Sequence, residues 1–368
     1  MAVQFFDIKE QNNKFQKELD AAIKEVVDSG RYILGNRVAT FEKEFAEYCG
    51  TKYAVGVASG TDALHLALIA CGIKSGDEVI TSPFTFIASC EVINYIGAKP
   101  VFVDIESKTF LVDTNRIKEK ITPKTKAILP VHLYGLASEM DSINKLAQEN
   151  NLKVIEDCAQ AQGAEFNGKK VGSTGAAGAF SFFPTKNLGC FGDGGVITTN
   201  DQKTYELAKT LRMHGSDKAY YHDIIGYNSR LDALQAAILS VKLPAIGDFI
   251  AARRKNADLY RNLLKDVEQI ELPFEPKTCK HTYNQFTIRA KDRNNLVSYL
   301  KEKQIGAMIY YPLGLHEQKA FKYLGYKKGD FPNCEAAQAE VLSLPVYPEL
   351  SSAAIEEVAA AIKAFYKK

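Results

Sequence analysis

Residues 181–200 read SFFPTKNLGCFGDGGVITTN, and the reading of the one lysine in that stretch, Lys186, decides the rest. An aromatic run (Phe180, Phe182, Phe183) and a Pro184 turn precede it. Four glycines (Gly189, Gly192, Gly194, Gly195) and a strand-like Val196–Thr199 follow. A strand, a turn, one amine, a glycine loop and a second strand deliver a side chain into a cleft where backbone and ligand approach closely. The same pattern also describes a surface lysine in a hairpin, so the surrounding chain has to choose between them.

Outward from this stretch the chain alternates strand and helix. Upstream, apolar segments at AVGVA, DEVITS (77–82), PVFVDI (100–105), KAILPVHL (126–133) and LKVIED (152–157) are separated by amphipathic stretches at about 40–48, 87–96, 114–121 and 140–148. Near-continuous Val/Ile strands with helices between them predict a largely parallel sheet covered on both faces. Ligands of such sheets sit beyond the carboxyl ends of the strands. Downstream come a helix at 205–211, a tyrosine-rich loop, the helix LDALQAAILSVKL, a long helix at 250–264, and HTYNQFTIRA, which alternates like an antiparallel strand. A helix near 294–303, a Tyr310-Tyr311-Pro312 turn, a loop region and a helix at 353–366 complete the chain. The change of patterning predicts an α/β cofactor-binding domain over 1–244 and a smaller α+β domain over 245–368.

The chain has 368 residues, a net charge of +2, 46% hydrophobic and 24% charged residues, which excludes a nucleic-acid stripe or a polybasic membrane patch. No run is read as approaching a bilayer span, and the polar N-terminus does not resemble a signal peptide, so a cytoplasmic location is expected. Seven dispersed cysteines without a C-x-x-C pair point to reduced thiols, and six scattered histidines form no visible metal cluster. Cys190 is a second nucleophile candidate, but no histidine accompanies it.

A lysine amine in a cleft serves most often to form a Schiff base with a carbonyl compound. Pyridoxal phosphate would further require a carboxylate for its ring nitrogen, amides and hydroxyls at a helix start for its phosphate, and an aromatic face for its ring. Asp157 ends a strand; Ser59-Gly60-Thr61 opens a helix, as a phosphate seat or as an ordinary N-cap; Ser181 lies five residues before Lys186; Phe84 and Phe86 follow DEVITS. All would fall on one sheet edge.

The segments ASGTDALHLAL, ITSPFTFIAS, VIEDCAQAQGA, SFFPTKNLGCFGDGG, GYNSRLDALQAAIL and YYPLGLHEQ, in this order from about 32 to 349, resemble the motifs of the DegT/StrS sugar aminotransferases, fold-type I pyridoxal phosphate enzymes. The resemblance implies a seven-stranded, mostly parallel sheet and a homodimer with shared active sites. It implies that Lys186 carries the cofactor, Asp157 pairs with its ring nitrogen and Gln160 contacts its ring hydroxyl. Gly60, Thr61 and Ser181 would hold the phosphate, Phe86 would stack on the ring, and Asn228 would reach the neighbouring subunit's site. Glutamate would donate the amino group to a keto group on a nucleotide-linked sugar. A dehydratase branch has histidine where this chain has Lys186, so the lysine argues for amine transfer.

The nearest resemblance is to the UDP-2-acetamido-3-keto-glucuronate 3-aminotransferases of surface-polysaccharide (lipopolysaccharide O-antigen) pathways. Arg230 is the candidate for the uronate carboxylate, or else a surface partner of Asp232. Tyr310 and Tyr311 are substrate-side candidates, although relatives often have His-Tyr-Pro there. The alternatives are a dTDP-3-keto-6-deoxyhexose 3-aminotransferase and then a 4-keto enzyme. A dinucleotide-dependent dehydrogenase fits the α/β pattern, but no G-x-G-x-x-G opens a helix after a strand in this chain, and the glycines after Lys186 precede a strand instead. A non-catalytic sensor on this fold would be expected to have lost Lys186 or Asp157.

Overall fold

The computed structural model describes residues 2–218 and 220–367. In chain order its strands are β1 (Tyr53–Val57), β2 (Glu78–Thr81), β3 (Lys99–Phe102), β4 (Thr125–Ile128), β5 (Lys153–Asp157), β6 (Glu165–Phe166), β7 (Lys169–Lys170), β8 (Ala177–Ser181), β9 (Gly195–Thr199), β10 (Ile270–Glu271), β11 (Cys279–Lys280), β12 (Phe286–Ala290) and β13 (Val341–Leu344). Seven of them form the main sheet, in the order β1-β9-β8-β5-β4-β2-β3. The pairs β2–β3, β2–β4, β4–β5 and β5–β8 are parallel, and only β9 runs against its neighbours. The fold is α/β of the fold-type I class.

Both faces of that sheet are largely buried, which is why its strands are rich in Val, Ile and Ala, with most of their charged residues at strand ends. Phe180 and Phe182 pack on one side with Phe41 and Phe45. Ala177 and Ala179, one residue out of phase on β8, join Leu64, Leu66 and Ile197 on the other. Truncating a buried phenylalanine such as Phe41 to alanine would cost about 3–5 kcal/mol. The helix Gly60–Ala70 is apolar nearly all round because it lies between the sheet and two further helices. A third cluster, around Tyr260, Phe286, Leu342 and Ile355, fills the space behind a β10-β12-β13 sheet and also takes in Val3. We retain residue 244 as the proposed domain boundary, with Val3 crossing it.

Several elements depart from the sequence reading. The helix expected at 40–48 begins at Asn36, the one at 250–264 begins at Ile246, and only Phe286–Ala290 of HTYNQFTIRA is strand. The expected loop after Pro312 holds the helix Pro332–Glu340 and then β13, which pairs with β12. That helix has almost no amphipathic pattern, and its few buried residues, Cys334 and Ala337, are small. The stretch Ala233–Leu264, 32 residues long, is apolar enough to cross a bilayer by length and composition, contrary to expectation. It consists of the helices Ala233–Lys242 and Ile246–Leu264 joined by a turn at Pro244, and 56% of its most apolar window is buried within the protein.

Candidate active site

The carboxyl ends of β1, β2, β5 and β8 share one edge of the sheet, and antiparallel β9 starts there, since Gly195 pairs with both Val57 and Ser181. This register fixes the loop between β8 and β9, and with it Lys186. Within the loop, Phe182 N donates to Gly194 O, Cys190 N to Phe182 O, and Lys186 N to Phe183 O. None of its four glycines has a positive φ. Two are needed for close approach: a Cβ on Gly189 would lie 2.4 Å from Pro184 O, and one on Gly195 2.2 Å from Ser59 O. The loop is therefore compact, with Gly189 packing it against its own turn and Gly195 against the start of the Gly60–Ala70 helix.

Lys186 Nζ makes no hydrogen bond to any described residue. Burial lowers its pKa to about 8, with the Asp157 carboxylate pulling the other way. An amine held near neutrality beside a carboxylate suits both nucleophilic and proton-transfer work. Burial raises the Asp157 carboxyl above its ordinary range, opposed by Ser89, the Ala159 amide and Lys186. Asp157 Oδ2 accepts from Ser89 Oγ at 2.7 Å and Oδ1 from Ala159 N at 3.1 Å, and Ser89 is bonded in turn to Thr85 at 2.9 Å. The sequence reading missed Ser89 and Thr85; their spacing of four residues in SPFTFIAS was the available signal.

Gly60 lies directly beside Ser181: a Cβ there would come within 2.5 Å of Ser181 Cβ. Ser59 is the N-cap of the Gly60–Ala70 helix, its Oγ accepting from Asp62 N at 3.1 Å, so the capping role exists and still leaves Thr61 and the first amides at the helix end. Gln160 is engaged at both ends, its Oε1 accepting from Tyr134 N at 2.8 Å and its Nε2 donating to Tyr311 OH at 3.0 Å. Burial pushes the Tyr311 hydroxyl up, and the ring lies 6.3 Å from that of Phe86, which is 55% exposed. Tyr310 is held through its carbonyl by Tyr134 OH.

Asn228 is exposed, and its side-chain oxygen accepts from Arg230 Nη2; no ion pair joins Arg230 to Asp232. Between them, Ser229 Oγ donates to Asp62 Oδ2 at 2.7 Å, which ties this segment to the helix start. Cys190 is buried and its thiol is pushed up to about 11, which removes it as a nucleophile. His132, Glu156 and Cys158 do cluster, but His132 Nε2 and four further donors from Gly172, Thr174 and Gly175 saturate Glu156. Burial aside, these bonds lower its pKa, and His132 Nδ1 accepts from Ser138 N, so the trio is a structural network.

With this geometry in place, the family model described as the DegT/DnrJ/EryC1/StrS aminotransferase family matches residues 13–363. The chain belongs to that family. It is 47% identical to a "Pleiotropic regulatory protein" of Geobacillus stearothermophilus over 100% of this chain and 99% of that one. It is also 47% identical to a dTDP-3-amino-3,6-dideoxy-alpha-D-galactopyranose transaminase of Aneurinibacillus thermoaerophilus, over 99% of each. The solved structure of DesV of S. venezuelae in complex with a ketimine intermediate matches with a TM-score of 0.98 and 40% identity, over 100% of this chain and 99% of that one. Relatives named as dTDP-sugar transaminases and as UDP-3-keto-sugar aminotransferases are both close. The protein is a sugar aminotransferase, and pyridoxal phosphate is its cofactor.

The site suits that cofactor on its own terms. An amine without a hydrogen-bond partner, a buried carboxylate with only two donors, a helix start lined by a glycine that no other residue can replace without moving Ser181, and an uncovered aromatic face meet at one sheet edge.

Proposed function

We propose that this aminotransferase moves an amino group from glutamate to the C3 keto carbon of a nucleotide-linked sugar. The observation that carries the reading is the Lys186 amine, with its pKa lowered to about 8, beside Asp157 at the sheet edge. That both residues are in place favours catalysis over a sensor role. The choice of C3 is supported by the relatives named as acting at that position.

When bound, pyridoxal phosphate supplies an aldehyde that exchanges amino groups and a ring that withdraws electrons. Lys186 Nζ holds the cofactor and, as a base poised near neutrality, takes up and returns a proton. The Asp157 carboxylate, oriented by Ser89 and Ala159, keeps the ring nitrogen protonated. The amides from Gly60 onward, with the Thr61 and Ser181 hydroxyls, hold the phosphate, and Phe86 and Tyr311 orient the ring, with Gln160 fixing the Tyr311 hydroxyl. Asn228 serves the site of a second copy. Its own loop exposes Tyr220 (94%) and Ile225 (90%), side chains that a homodimer would cover.

A uronate substrate is the second reading, favoured by Arg230, whose guanidinium has Asn228 as its one hydrogen-bond partner among the described residues. It places the enzyme in surface-polysaccharide synthesis, whereas a 6-deoxyhexose needs no cation at C6. The test is visible absorbance of the holoenzyme, first with glutamate and then with dTDP-3-keto-6-deoxyhexose, UDP-2-acetamido-3-keto-glucuronate and a 4-keto sugar in turn. A 3-keto sugar should restore the band that glutamate removes; restoration by the 4-keto sugar alone overturns the C3 assignment. Arg230→Gln should raise KM for the uronate and leave the 6-deoxyhexose unaffected. A strictly monomeric active enzyme in sedimentation refutes the shared site.

A further inference from the structure

The helix Ala233–Lys242 lies beneath the loop that presents Lys186, and two of its polar residues reach into that loop. Lys242 is 0% exposed, and its Nζ donates to Gly189 O at 2.8 Å. Gln235 accepts from Phe191 N at 2.8 Å and donates back to Phe191 O at 3.4 Å. The two are seven residues apart, two helical turns, and so project from one face.

A buried amine is costly, and a methionine or leucine would fill the same volume without that cost. Gly189 O is the only hydrogen-bond acceptor that Lys242 Nζ meets among the described residues, and the Phe191 ring lies 5.8 Å away. Gly189 is in turn pressed against Pro184, the turn that launches Lys186, and Lys186 N is bonded to Phe183 O. A mechanical chain thus runs from the helix through Gly189 and Pro184 to the amine. Its second anchor, at Phe191, stops the far limb of the loop from swinging.

We infer that Lys242 and Gln235 are positioning residues for the transamination, holding from one helix face the loop that aims Lys186. The inference rests on the reading of Lys186 as the cofactor-bearing amine. Burial lowers the Lys242 pKa to about 8, so the grip on Gly189 involves a group that gains charge as pH falls, and a charged donor bonds more strongly.

The test uses the full chain stripped of cofactor. Pyridoxal phosphate is added, the amine adds to its aldehyde carbon with loss of water, and borohydride reduces the resulting C=N bond; peptide mass spectrometry then times the label at Lys186. Lys242→Met and Gln235→Leu should each slow labelling about tenfold, because small misplacements of a reacting group cost one to two orders of magnitude in rate. Ile355→Ala, in the distant C-terminal cluster, destabilises the fold and should leave the labelling rate unchanged. Wild-type labelling rates in both helix variants overturn the inference, and if Lys242→Met fails to fold, Gln235→Leu decides alone. Lys186→Ala separates the two readings: labelling of another lysine in that variant at the speed seen for Lys186 in wild type refutes the role of Lys186 itself.

Discussion

The ionisation of Lys186 makes a demanding test of the site. With its pKa lowered to about 8, about 9% of the amine is unprotonated at pH 7, against about 0.04% for an ordinary lysine, a gain of roughly 230-fold in the nucleophilic form. Burial is the larger cause, and the Asp157 carboxylate, which favours the charged amine, holds the value up. Replacing Asp157 by asparagine removes that opposing charge, so the pKa of Lys186 should fall further and the amine should be more reactive at neutral pH, even as the cofactor is held less well. Carbamylation by cyanate reads this directly: the neutral amine adds to the carbon of isocyanic acid, and peptide mass spectrometry follows Lys186 against surface lysines of the same cofactor-free chain. Divided by the isocyanic acid concentration present at each pH, the Lys186 rate should climb with pH to a plateau whose midpoint lies near 8, and Asp157→Asn should shift that midpoint down. A midpoint near the ordinary value of about 10.4 would refute the burial argument. An upward shift in Asp157→Asn would refute the coupling.

Three further outcomes follow from the same geometry. Gly60→Ala places a Cβ 2.5 Å from Ser181 Cβ, an overlap costing about 1–3 kcal/mol, so pyridoxal phosphate affinity should drop tenfold or more in an equilibrium titration. Ser89→Ala removes the shorter of the two bonds that favour ionised Asp157; the carboxyl pKa should rise, and release of cofactor on acidification should begin at a higher pH than in wild type. Glu156→Leu leaves the amides of Gly172, Thr174 and Gly175 without their acceptor at about 1–3 kcal/mol each, a loss on the order of 4 kcal/mol measurable by chemical denaturation. A variant as stable as wild type would show that the network is not structural.

The parallel sheet was legible because burial on both faces favours apolar strands, and β1 to β5, β8 and β9 largely follow that pattern, with Lys126 in β4 and the two acids of β5 as departures. The placing of Ser59, Asp157 and Ser181 at one sheet edge followed from topology, since each stands at or just beyond a strand's carboxyl end, with Lys186 in the loop that follows β8. What stayed hidden depended on tertiary pairing. β13 is four residues long and acquires its identity from β12. Lys242 reads as a polar end to an apolar helix, and nothing local says that its amine meets Gly189 O some 53 residues away. The loop glycines were expected to let a ligand approach, and two of them, Gly189 and Gly195, instead lie against the protein's own backbone.

The dipeptide Glu156-Asp157 shows most clearly where sequence reading stops. Alternation along β5 sends the two carboxylates to opposite faces of the sheet, but it cannot tell which acid is for architecture and which for chemistry. The structure separates them by their donors. Glu156 meets His132, two glycine amides and both donors of Thr174, which lower its pKa and leave little capacity for a ligand. Asp157 has only a serine hydroxyl and one amide against full burial, and so retains unmet electrostatic demand. A cationic ring nitrogen would satisfy that demand at Asp157 and find nothing to satisfy at Glu156. Exchanging the two acids' environments, and not merely their order in the chain, is therefore what it would take to move the site to the other face of the sheet.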